Sequence, residues 1–74
     1  MITPMQIKAA RSLLGWSGAE FAKRLGVKQR HVTAAENGRS QPAAILRMKA
    51  LLQAGGIEFI DGGEPGVRMK AKGG

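Results

Sequence analysis

Residues 18–37 read Gly-Ala-Glu-Phe-Ala-Lys-Arg-Leu-Gly-Val-Lys-Gln-Arg-His-Val-Thr-Ala-Ala-Glu-Asn, and the spacing within this stretch decides the fold. Phe21, Ala22 and Leu25 recur at helical intervals and supply the inward face of one helix. Gly26 follows as the turn, where a residue without Cβ adopts positive φ at little cost. Val32 and Ala35 supply the inward face of a second helix, which must cross the first at a steep angle. Ala22 provides the small side chain that such a close crossing needs.

Upstream, the same logic predicts a helix over about residues 4–14. Thr3 is its N-cap, Pro4 suits the first helical position, and Gln6 completes a Thr-x-x-Gln capping box. Ile2 and Ile7 stand at the two positions of a hydrophobic staple, and Ile7, Ala10, Leu13 and Leu14 form the expected buried stripe. Ser17 caps the next helix, Glu20 answers it three residues on, and Trp16 staples onto Phe21. The helix over about 28–37 stops at Asn37-Gly38. A fourth begins near Pro42, carries Ile45, Met48, Leu51 and Leu52 on one stripe, and ends at Gly55-Gly56.

Beyond residue 56 the character changes. Ile57–Ile60 and Gly66–Met69 favour strands, and Asp61-Gly62-Gly63-Glu64-Pro65 separates them, so a hairpin is expected. A two-stranded hairpin alone is marginal in water and must pack on the helices or on a partner's strand. The expected organisation is a helical domain over 1–56, a hairpin over 57–70 and a disordered tail over 71–74. Two surfaces could build a dimer, the end of the fourth helix with its Gly-Gly exit or the strand Ile57–Ile60. The strand is favoured because Ile57 and Phe59 share one face.

Seventy-four residues with 12 Lys and Arg against 5 Asp and Glu carry a formal charge of +7. That excess on a small surface favours a polyanionic partner. The absence of cysteine excludes a disulfide framework and thiolate metal sites. With no apolar run of membrane-spanning length and no signal peptide, a cytoplasmic protein without membrane association is expected.

From Ala9 to Leu52 the chain resembles the lambda-type phage repressor and Cro helix-turn-helix family, the XRE-like regulators. The residues that carry the likeness are Ala10-Arg11-x-x-Leu14-Gly15-Trp16-Ser17-x-Ala19-Glu20-Phe21-Ala22, then Leu25-Gly26-Val27, then Val32-x-x-x-Glu36-Asn37-Gly38-Arg39. The resemblance implies a mainly α fold of four to five helices, ending here in a short β-hairpin. It further implies a sequence-specific domain that binds double-stranded DNA as a dimer and regulates transcription. Three positions depart from the family pattern. Gly18 stands where Gln often anchors a phosphate, Lys28 where Ser or Thr usually caps, and Ala34 where a longer side chain often reads bases.

At 100° per residue, Val32, Ala35 and Glu36 face inward while Arg30, Thr33, Ala34 and Asn37 face away. In this motif the second helix reads bases mainly through its N-terminal residues. Arg30 suits guanine, Gln29 suits adenine, and Thr33 and Ala34 suit a thymine methyl. Lys28, Arg39, Ser40, Ser17, His31 and Asn37 are the expected DNA-backbone contacts, with Lys23 and Arg24 as further candidates. Lys8, Arg47 and Lys49 read as solvated charges. The resemblance also implies an ion pair between Arg11 and Glu36 that locks the first helix to the third. His31, the only histidine, has no ligand cluster around it in sequence, so neither a metal nor a cofactor is expected.

Enzyme chemistry is not expected. No paired carboxylates, cysteine or Ser-His-Asp set is present, and Gly62-Gly63-x-x-Gly66 lacks the strand-to-helix context of a nucleotide loop. The leading reading is a homodimeric repressor on a palindromic operator. The alternative is a protein-interaction module, such as an antitoxin or accessory component, holding a protein partner through residues 57–69. Nonspecific DNA packing would instead rely on deformability rather than on Gln29 and Arg30.

Overall fold

The computed structural model describes residues 2–61 and 63–70. Four helices, α1 (Pro4–Leu13), α2 (Gly18–Leu25), α3 (Gln29–Glu36) and α4 (Pro42–Ala54), precede strands β1 (Ile57–Ile60) and β2 (Gly66–Met69). Among the described residues there is no fifth helix. The tail expected over 71–74 lies outside them.

Local chemistry sets the helix ends. Thr3 Oγ1 accepts from Gln6 N–H at 3.2 Å, and Gln6 Oε1 accepts from Thr3 N–H at 2.8 Å, which closes the capping box on α1. At the other end Trp16 N–H reaches back to the Arg11 carbonyl at 3.1 Å around Gly15. Ser17 Oγ accepts from Glu20 N–H at 3.0 Å, but the expected reciprocal box does not close. The Glu20 carboxylate turns instead to Arg24, one helical turn on, at 3.2 Å. Gly26 has φ 75°, and Val27 N–H returns to the Ala22 carbonyl at 3.0 Å, so the turn between α2 and α3 takes the left-handed form its glycine allows.

The core gathers Ile2, Ile7, Ala10, Phe21, Ala22, Val32, Ala35, Met48, Leu52 and Ile57. Ala22 is buried at the α2–α3 crossing, as its size requires. The Trp16 and Phe21 rings lie 6.0 Å apart, so the staple forms and Trp16 packs against the core. Leu13, expected in the buried stripe, is 49% exposed. Ile7, Ala10 and Leu14 define the stripe, and Leu13 lies roughly a quarter-turn from its centre.

β1 and β2 pair antiparallel in the register Ile57↔Met69, Glu58↔Arg68, Phe59↔Val67 and Ile60↔Gly66. The hairpin is not a detached arm. Ile57 is fully buried, Phe59 and Val67 pack on the core, β2 lies against α1 and β1 against α4. The division expected at residue 56 therefore passes through the core. Gln6 fastens this seam: its buried amide donates from Nε2 to the Gly66 carbonyl at 3.0 Å and to the Ile60 carbonyl at 3.4 Å. One side chain thus caps α1 and clasps the hairpin, a second role its local sequence gives no sign of.

Candidate nucleic-acid interface

The placement of α3 follows from what holds its inner face. Val32 and Ala35 are buried against the other helices, which turns Gln29, Arg30, Thr33 and Asn37 outward, all exposed. Ala34 is half-buried, less open than its helical angle suggested. Its carbonyl accepts from Arg39 N–H at 2.8 Å, so the loop after α3 folds back over it.

Glu36 is withdrawn from this outer face. Its carboxylate receives Arg11 Nε at 2.8 Å and Arg11 Nη2 at 3.2 Å, a bidentate pair, and Arg11 Nη1 also donates to the Trp16 carbonyl at 2.9 Å. Both side chains are mostly buried, with 15% and 14% exposure. The ion pair implied by the resemblance is present, and it ties α1, the α1–α2 loop and α3 together. It also removes the one carboxylate on α3, leaving that helix with a polar and basic outer surface.

Around α3 stand Lys28, His31 and Arg39, all exposed, with Ser40 half-buried. Among the described residues, Lys28, Arg30 and Arg39 make no ion pair within 4 Å. Lys28 occupies the N-cap of α3 without a side-chain cap bond, so its ammonium group is not engaged in capping. Ser17 already accepts from Glu20 N–H, yet its hydroxyl proton can still be donated.

Two exposed basic residues also have partners within the protein. The Arg24 guanidinium lies 4.4 Å from the centroid of the Trp16 ring and pairs with Glu20 while remaining 46% exposed. Arg47, read as a solvated charge, donates from Nη2 to the Leu25 carbonyl at 3.0 Å. It thereby bonds the last turn of α2 from α4 and braces the turn that leads into α3. Gln29 lies against Gly18, the first residue of α2. Neither Arg47 nor Gly18 is marked by its neighbours in sequence, because each acts on a residue brought near only by the helix crossing.

Among the described residues no three His, Cys, Asp or Glu side chains gather as a metal site would require. No helix there is long and apolar enough to cross a membrane.

Comparison with known proteins agrees with this geometry. The family model described as helix-turn-helix (HTH_3) matches residues 7–60, most of the chain and all four helices but the start of α1. No curated protein matches the sequence. The matched span holds the α2–turn–α3 unit with its glycine turn, small crossing residue and bidentate Arg11–Glu36 lock. The chain belongs to the helix-turn-helix family of lambda-type repressor and Cro proteins, the XRE-like set, whose members bind DNA and are typically not enzymes.

Proposed function

We propose that this protein is a sequence-specific transcriptional repressor that places α3 in the DNA major groove and binds a palindromic operator as a homodimer. The observation that carries this reading is the outer face of α3. Gln29, Arg30 and Thr33 stand exposed there, flanked by Lys28, His31 and Arg39, while the only acidic residue of the helix is locked inward. Gln29, Arg30, Thr33 and Ala34 read base edges; Ser17, Lys28, His31, Asn37, Arg39 and Ser40 hold the phosphates. Repression follows from occupancy, since a bound dimer excludes other proteins from the operator.

Selection of bound sequences from a random DNA pool tests the reading. Arg30→Ala should cost roughly 1–3 kcal/mol on the best site and relax preference at one base pair per half-site. Arg39→Ala should weaken all sequences about equally and flatten the slope of log K against log salt by about one unit. An unchanged preference profile removes Arg30 from base readout, and a sequence-dependent loss without a change in slope reverses the role of Arg39.

Dimerisation is supported by the two-stranded sheet, in which each strand has only one neighbour. With Ile57 buried in its own core, the remaining attraction is the outer edge of β1, where a second copy's strand can add its hydrogen bonds. Two α3 helices must then stand about 34 Å apart to reach successive major grooves. Sedimentation at tens of micromolar should show a dimer, and a palindrome should bind two chains. A monomer that binds one to one overturns this part of the proposal.

One observation favours the second reading, a module that holds a protein through residues 57–69. An apolar groove of about 460 Å³ runs between the start of α1 and the hairpin, bounded by Met5, Ala9, Pro65 and Val67, with Met5 82% exposed. Under that reading alone, the random-pool selection returns no sequence preference.

A further inference from the structure

We propose that Gly18 is a positioning residue for base readout: by lacking a side chain it seats Gln29 in the rotamer that meets the DNA. This rests on the assignment of Gln29 to base contact given above, and it carries that assignment to a second residue that touches no base.

Gly18 opens α2, where alanine is the better helix former and the backbone is helical. A glycine here forgoes helix stability, so its advantage must lie elsewhere. The space beside it supplies the reason. A Cβ on residue 18 would stand 3.2 Å from Gln29 Nε2, 3.8 Å from its Cγ and 3.9 Å from its Cδ. The Gln29 side chain thus lies along the bare face of Gly18, in the volume that any other residue would begin to fill. The 3.2 Å approach is closer than ordinary van der Waals separation, so Gln29 has to move when a Cβ is present.

Gln29 is exposed at the first turn of α3 and has three rotatable side-chain bonds. A free glutamine must give up that rotamer freedom to make a bidentate contact with adenine. Seating its amide end against the start of α2 removes part of the cost before DNA arrives. Because Gln29 and Gly18 belong to different helices, this contact places the amide beside the start of α2. A methyl group at residue 18 displaces the Gln29 amide by a few tenths of an ångström, and a leucine competes for the space the side chain occupies.

The test measures preference profiles and melting temperatures for Gly18→Ala, Gly18→Leu and Gln29→Ala, and for each Gly18 change combined with Gln29→Ala. Gly18→Leu should lower discrimination at the base pair read by Gln29 roughly fivefold or more, the lower end of what a bidentate pair provides. Gly18→Ala should act at the same base pair more weakly. Binding to unrelated DNA and its salt slope should stay as they were, and the alanine variant should melt no lower than the parent. In the Gln29→Ala background neither change should alter the profile further.

If Gln29→Ala shifts the profile and the Gly18 variants do not, the positioning role is overturned while the readout assignment stands. A uniform loss over all sequences, or an equal effect with Gln29 removed, also overturns it, because residue 18 then acts through the backbone. An unchanged profile in Gln29→Ala removes both the positioning role and the readout by Gln29.

Discussion

Glu36→Ala should lower stability by about 2–4 kcal/mol, between the loss seen on breaking a fully buried pair and the small value of an exposed one. For a domain of this size that is a fall of about 10–25 °C in melting temperature. The expectation follows from what Arg11 is left with. Its guanidinium keeps one bond, to the Trp16 carbonyl, and loses two to a carboxylate, while remaining in a site that is 15% exposed. A charge so placed has little water to turn to. DNA binding should fall too, although both side chains are mostly buried, because the pair ties α3 to α1. Arg11→Met with Glu36→Ala should recover part of the loss, since no charge is then stranded. Thermal melts of the two single variants and the double variant decide it. Unmoved midpoints in both single variants show that the pair is not structural.

The difference between what the sequence makes legible and what it does not is one of distance along the chain. Thr3 with Gln6, Ser17 with the Glu20 amide, and Trp16 with Phe21 lie three to five residues apart, and all three interactions form. Gly26 and the Val32–Ala35 spacing set the motif for the same reason. The Arg11–Glu36 pair spans 25 residues and was accessible only through resemblance to a family. Arg47 on the Leu25 carbonyl and Gln6 on the hairpin carbonyls span 22 and 54 to 60 residues, and no local pattern marks them. A long polar side chain looks the same in sequence whether it meets water or a distant carbonyl. Arg24 is similar: its stacking on Trp16 depends on how the α1–α2 loop is folded, which its place among DNA-backbone candidates in the sequence does not reveal. The outer face of α3 was the easiest part of the site to read. Helical periodicity alone separates Val32 and Ala35 from Gln29, Arg30 and Thr33.

Removing residues 57–74 should abolish cooperative folding of the helices rather than detach a dimerisation arm. The hairpin brings Ile57, fully buried, with Phe59 and Val67 against the core. Fully burying Ile57 contributes about 1.5–3 kcal/mol, and the half-buried Phe59 and Val67 add less each, whereas a chain of this length has only about 4–11 kcal/mol of net stability. The deletion also leaves the Gln6 amide without the Ile60 and Gly66 carbonyls to which it donates. Ile57→Ala isolates the packing component and should cost about 2–5 kcal/mol, as a large side chain removed from a tight core does. The truncated chain should show a weak, broad melt by circular dichroism, and Ile57→Ala a sharp melt at lower temperature. A sharp, nearly unshifted melt in the truncated chain requires that helices α1–α4 close their own core, with the hairpin only resting on it. That result is hard to reconcile with Ile57, because the side chain sits among Met48, Leu52 and the other core residues with no exposed surface. The dependence explains why a hairpin that cannot stand alone in water persists here: helices and strands supply each other's missing side of a single core.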